Sequence, residues 1–276
     1  MKSLLSKIFL LLLIIYIPNT AKAQNFQGKA IYMSKSKMNL GSWGARMSEE
    51  QKKQVAARLK NRLEKTYTLT FNMQESMFLE EEKIDAISGA TDSWGGYFSR
   101  GDQYKNIKDT KLAQSQEFYG KRFLVKDDLY KIDWKMGTET KKIGNYTCYK
   151  AKAFVPTTEL KWFSFSWSDL RKKDEDANVD NQKPEENLTV VEAWYTPQIP
   201  VAQGPAEFWG LPGLILEVSA GNTTLLCTEL VLNPQEKIKI VAPEKGTETT
   251  KDDYVAIVQE KMLEMRNNRM SRRRGR

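Results

Sequence analysis

Between Thr66 and Met73 the chain alternates without a slip. Tyr67, Leu69, Phe71 and Met73 fall on one side, and Thr66, Thr68, Thr70 and Asn72 on the other. A period of two with threonines opposite the apolar residues predicts a half-buried antiparallel strand. Ser76–Ile84 reads as its hairpin partner. Further strands are expected at Gly28–Ser36, Glu117–Tyr119, Arg122–Lys126, Tyr130–Met136, Tyr146–Phe154, Val190–Tyr195, Leu214–Val218 and Thr223–Leu232. In Tyr130–Met136 the residues Tyr130, Ile132, Trp134 and Met136 share one face.

Two segments change period. Ser48 followed by Gln51 forms a capping box, and Val55, Leu59 and Leu63 then recur every four residues. This predicts a helix over 48–64 whose narrow apolar stripe buries one edge. Near the C-terminus, Tyr254, Ile257, Val258, Met262 and Met265 have helical spacing within Asp252–Asn267. The elements together predict an α+β fold. Its main part is a curved antiparallel sheet of eight or more strands, half-open like a barrel and wrapped against the early helix.

Between the periodic segments, Gly41–Gly44 and residues 88–102 read as loops. Asp169–Leu188 is dense in charge with Pro184 and reads as an exposed insertion. Gly210-Leu211-Pro212-Gly213 has the composition of a type II β-turn, with Pro212 presetting φ and Gly213 at the position that needs φ > 0. That turn feeds Leu214, Leu216 and Val218, which share a face.

The N-terminus alters how the composition is read. Lys2 and Lys7 precede an unbroken apolar run, Ile8–Ile17, and Ala21-Lys22-Ala23 places small residues where a signal peptidase cuts. Ten helical residues reach about 15 Å, half of a ~30 Å hydrocarbon core, so the run is short for a membrane span. Residues 1–23 are therefore expected to be a cleaved leader. The mature chain then starts at Gln24, is exported, and lies in a periplasm or against an outer membrane. Residues 24–265 form one domain and 266–276 a disordered basic tail.

The chain carries 43 basic and 35 acidic residues, a net +8. Three of the lysines leave with the leader, and six arginines stand in the last eleven residues with no acid among them. The body is thus close to neutral and lacks the broad basic surface of a nucleic-acid-binding protein. The tail reads either as a solvated terminus or as a contact for an anionic surface. Cys148 and Cys227 make an even count, and a disulfide is expected if their strands are neighbours; two buried thiols are the other reading.

Three stretches carry a resemblance: Lys142–Ala153 (KIGNYTCYKAKA), Glu192–Pro205 (EAWYTPQIPVAQGP) and Trp209–Val218 (WGLPGLILEV). In this order they resemble the GLPGLI family of exported Bacteroidota envelope proteins. The resemblance implies an exported, β-rich protein. It carries no activity.

The chain has no His, which removes the commonest general base and metal ligand, together with Ser-His-Asp and Cys-His sites. No metal or cofactor is expected: two cysteines do not complete a zinc site, and the glycines lack phosphate-loop spacing. Carboxylate runs at Glu80–Glu82, Asp127–Asp128 and Asp174–Asp176 leave a hydrolase open, although neighbouring acids on a strand point to opposite faces. Trp194, Tyr195, Pro200, Pro205, Phe208 and Trp209 flank the Gly210–Gly213 turn. They read as a candidate rigid binding surface, and equally as core and turn residues. The expected function is an exported, non-enzymatic binding or accessory protein with an outer-membrane or periplasmic protein partner. The alternatives are a carrier holding a lipid or peptide in the sheet's concavity, and a carboxylate-dependent hydrolase.

Overall fold

A computed structural model describes residues 26–37, 46–81, 100–165 and 187–274. The leader with its cleavage site, the Gly41–Gly44 loop, residues 88–99, most of the charged insertion, and Arg276 lie outside the described residues.

Among the described residues the fold is α+β, dominated by one open, curved sheet of twelve strands. In chain order the elements are β1 (Gln27–Ser36), α1 (Glu49–Arg58), α2 (Lys60–Leu63), β2 (Glu64–Asn72), β3 (Glu75–Glu80), β4 (Gln103–Asn106), β5 (Lys111–Phe118) and β6 (Lys121–Asp128). They continue with β7 (Lys135–Ile143), β8 (Tyr146–Pro156), α3 (Thr157–Lys161), β9 (Leu188–Thr196), β10 (Leu214–Ala220), β11 (Thr223–Leu232), β12 (Thr247–Thr249) and α4 (Lys251–Arg274). The strand order is β12-β6-β5-β4-β3-β2-β1-β11-β10-β9-β8-β7. Pairing is antiparallel except for the short parallel contact of β12 with β6. β1 joins the two halves, pairing β2 on one side and β11 on the other.

The alternation in β2 is realised. Tyr67, Leu69 and Phe71 are buried, while Met73 lies past the strand end and is 51% exposed. The capping box forms: Gln51 N donates to Ser48 Oγ at 3.2 Å and Ser48 N to Gln51 Oε1 at 2.9 Å. The early helix nevertheless breaks at Leu59 into α1 and α2, and none of the described side chains of α1 is buried. Its stripe is too narrow to close the sheet. The expected helical cover is replaced by the 197–213 segment, whose Ile199, Val201, Phe208 and Leu211 join the main core with Leu69, Phe71, Phe78, Leu214 and Ile215. A second, smaller core lies on β5 and β6, where Tyr254, Val258 and Met262 of α4 pack against Phe118, Phe123, Val125 and Trp162.

One more expectation is corrected. Residues 129–134 are irregular rather than a strand, because Trp134 is drawn off into contacts described below. The C-terminal helix α4 is anchored on the sheet over its first three turns.

Candidate functional site

The 197–213 segment carries the chemistry most unlike an ordinary core. Its final turn is not type II. Gly213 N donates to Leu211 O at 2.8 Å across Pro212 alone, and Leu214 N turns away to Ile199 O at 3.0 Å. The left-handed φ falls on Gly210, at 92°. Gly213 serves close approach instead: a Cβ there would lie 2.2 Å from the Thr196 carbonyl oxygen. Leu211 is buried and Pro212 exposed, so the turn is clamped from below and open above. Two tryptophans fasten it to the irregular 129–134 stretch. Trp134 Nε1 donates to Trp209 O at 2.8 Å, and Trp209 Nε1 to Tyr130 O at 3.0 Å. This reciprocal pair is why the expected 130–136 strand does not form.

Beneath the segment lies a buried polar knot. Lys105 of β4 is fully buried, and its Nζ donates to three carbonyls: Gly204 at 2.6 Å, Ala206 at 2.7 Å and Phe208 at 3.2 Å. Three acceptors match the three N–H bonds of an ammonium group. Burial pushes the Lys105 pKa down to about 7; the Glu207 carboxylate raises it and the Arg100 guanidinium lowers it. Arg100 and Glu207 form an ion pair with both side chains largely covered, and Gln103 Nε2 adds a contact to Glu207 at 3.4 Å. Ser76, Gln103 and Gln203 are all fully buried as well. Register explains the grouping, because Ser76 pairs with Lys105 across β3 and β4, and Phe78 pairs with Gln103. The side of β4 that carries Gln and Lys faces inward, and Tyr104 between them reaches Glu75 Oε1 at 2.5 Å. Sequence reading missed β4 because a short strand with polar residues on its buried face has no apolar alternation to detect.

The residues expected to form one binding surface are dispersed. Tyr195, Pro205 and Phe208 are buried, Trp194 and Trp209 half-buried, and Pro200 exposed. Trp194 and Tyr195 are consecutive on β9 and so point to opposite faces. Tyr195 turns inward, with its hydroxyl 3.8 Å from Met136 Sδ. Trp194 faces outward, with Lys141 Nζ 4.4 Å and Lys150 Nζ 5.6 Å from its ring centroid. Lys141 also pairs with Glu217 of β10 at 2.7 Å. Along the same outer face, register aligns Lys150 with Trp194, Lys152 with Glu192 and Phe154 with Val190. Lys152 and Glu192 form an ion pair at 2.7 Å. Leu188, Phe154 and Val190 stand 53%, 55% and 50% exposed at the far end.

The cysteines are free thiols on β8 and β11, with β9 and β10 between these strands in the sheet order. Each sulfur contacts a carbonyl of its own strand, Tyr146 O for Cys148 and Glu229 O for Cys227. Burial pushes their pKa values up to about 11 and about 12. The candidate carboxylates have separate engagements. Glu80 pairs with Lys65, Glu81 accepts from Thr68, Asp128 pairs with Lys111, and Asp127 receives the backbone N–H of Lys251 at the start of α4. Glu82 and Asp174–Asp176 lie outside the described residues. Among the described residues no cluster of three potential metal ligands occurs, and no helix is long and apolar enough to cross a membrane.

Residues 134–217 match the family model described as a protein of unknown function (Porph_ging). The match runs from Trp134 through the reciprocal tryptophan pair and the turn to Glu217, so the family pattern coincides with the region built above. No curated protein matches the chain. Among solved structures, PNGF-II in its C2 and P21 crystal forms is similar, each with 15% identity and a TM-score of 0.46. The match covers 83% of this chain and 32% of PNGF-II, so the chain spans about a third of that protein's length.

Proposed function

We propose that this chain is an exported envelope protein of the GLPGLI type that works by binding a protein partner rather than by catalysis. The observation that carries this is the outer face of β8 and β9. Phe154 and Val190, in direct register, form an exposed apolar end with Leu188, bordered by the Lys152–Glu192 pair and the lysine-flanked Trp194. An apolar centre with a charged, hydrogen-bonding rim is the composition of a protein contact surface. Export rests on the leader at 1–23. The carrier reading loses support because Ile199, Phe208 and Leu211 are themselves buried members of the main core on the sheet. The hydrolase reading loses support from the separate engagements of Glu80, Glu81, Asp127 and Asp128.

The test is photocrosslinking in native envelopes from Phe154 and Val190, with Lys121 on the opposite half of the sheet as control. Discrete protein adducts from the first two positions, lost in a Phe154→Glu/Val190→Glu variant, are expected. Adducts equally abundant from Lys121 would refute the surface. Fractionation and N-terminal sequencing test export, with Gln24 expected as the first residue.

A further inference from the structure

One row across the sheet changes chemistry twice. Phe78 of β3, Gln103 of β4, Gln114 of β5 and Val125 of β6 stand opposite one another in register and share a face. All four are buried. Phe78 belongs to the main core and Val125 to the smaller one, so two glutamines stand between the two apolar cores. Gln203 adds a third. It is fully buried beside Gly204, whose carbonyl accepts from Lys105 Nζ.

The polar atoms of this seam divide into those with partners and those without. Lys105 spends its three N–H bonds on the carbonyls of Gly204, Ala206 and Phe208, and Arg100 is paired with Glu207. Gln103 Nε2 donates to Glu207 Oε1 at 3.4 Å. The other oxygen of each, Gln103 Oε1 and Glu207 Oε2, is buried with no hydrogen-bond partner among the described residues. The same holds for Gln203 Oε1 and Nε2. Turning the Gln103 amide over gives no relief, because its oxygen would then face the Glu207 carboxylate. Buried polar atoms in folded proteins are hydrogen-bonded, and those that the chain does not satisfy take water.

The partner has to donate to two acceptors and, at Gln203, also accept. A metal ion meets repulsion, since Lys105 and Arg100 outnumber Glu207 at this point. An anion has nothing to donate to the two free oxygens. Full burial of Gln103, Lys105 and Gln203 closes the seam to larger molecules. We propose that the seam is an internal water site, in which bound water bridges Gln103 Oε1 and Glu207 Oε2 and serves the Gln203 amide. Water is neutral, donates twice and accepts twice, and in such sites makes about three hydrogen bonds. The 197–213 segment is thereby held to β4 by water as well as by Lys105.

The test is a high-resolution crystal structure of the mature full chain. A water peak about 2.7–3.2 Å from both Gln103 Oε1 and Glu207 Oε2 is expected. Gln103→Met removes one end of the bridge and should lose that peak while the three Lys105 contacts persist. If that variant does not fold, the parent is read in solution with ¹⁵N-labelled glutamine. Side-chain amide protons in the seam should then show direct cross-relaxation with water held for longer than nanoseconds. Protein donors on the two oxygens, or no peak between them, would overturn the proposal. So would a peak with contacts of about 2.4 Å, which would be a metal ion. A peak unchanged in folded Gln103→Met, or seam amides without cross-relaxation to water, would overturn it too.

Discussion

The 197–213 segment is held by two different kinds of contact on the two halves of the sheet. Toward β9 and β10 it meets an apolar surface, where Ile199, Phe208 and Leu211 pack with Val191, Leu214 and Ile215. Toward β4 it meets a single buried cation, with Lys105 gathering the carbonyls of Gly204, Ala206 and Phe208. The apolar contact supplies most of the burial and tolerates small shifts, because the hydrophobic effect has no direction. The ammonium contact is directional. It requires three alternate carbonyls to converge on one point, including that of Ala206, which adopts φ 52°. The difference teaches that the first contact holds the segment down and the second sets its path. The path then decides where Trp209 and the Gly210–Gly213 turn stand.

The largest effect should come from removing the directional contact. Lys105→Met leaves three buried carbonyls without donors and is expected to destabilise by about 3–5 kcal/mol in urea unfolding. A loss below about 1 kcal/mol would mean that apolar packing alone sets the path. Lys105→Arg should recover little of it, because a planar fork does not reproduce a three-way ammonium.

On the apolar side, Leu211→Ala should cost about 2–4 kcal/mol through the cavity it opens. The comparison predicts a further distinction. Indole fluorescence from Trp134 and Trp209 should stay close to the parent's in the folded Leu211→Ala variant, and change in folded Lys105→Met. Equal spectral changes in both would erase the difference between the two contacts.

The two sides also differ in their response to pH. The folded Lys105 pKa, about 7, lies below its unfolded value, so the unfolded chain binds more protons between the two values. Stability from this group therefore rises with pH from about 7 upward, and is lost as pH falls through 7. Burial sets the midpoint, and the charged neighbours Glu207 and Arg100 adjust it in opposite directions. From neutrality to the onset of thiol ionisation in the unfolded chain, the gain is on the order of 1–2 kcal/mol. Above that onset the raised thiol pKa values of Cys148 and Cys227 act in the opposite sense. Denaturation midpoints of the parent should rise across the window relative to Lys105→Met. Parallel slopes would count against the assignment.

The smallest effect is expected at the reciprocal tryptophans. Trp134→Phe removes one hydrogen bond at a half-buried carbonyl, worth about 1 kcal/mol. It should loosen residues 129–134 without moving β7, which amide exchange would detect as faster exchange confined to that stretch.

Much of the sheet was legible in the pattern of residues. β2 was read from Tyr67, Leu69 and Phe71, α1 from the Ser48–Gln51 box, and β10 from the residues following the Gly-Leu-Pro-Gly turn. The misread elements have a common cause. Tyr130–Met136 has strand spacing, yet Trp134 and Tyr130 are claimed by Trp209, 75 and 79 residues away. Composition named Trp194 and Tyr195 together, but neighbours on a strand cannot share a face. The type II turn was inferred from Pro-Gly, whereas Thr196, distant along the chain, dictates what Gly213 must be.

The sequence by itself determined that this is a β-rich chain with a leader-like start, a capped early helix, a Gly-Pro turn and a basic end. These are set by residues within a few positions of one another, through alternation, helical spacing and turn chemistry. Only the tertiary structure decided which side of a polar strand would be inside. Lys105 turns inward because carbonyls from a segment 99 to 103 residues away supply the acceptors that its burial requires. A buried charge is tolerated only with its partners, and no local pattern announces partners that arrive from that distance.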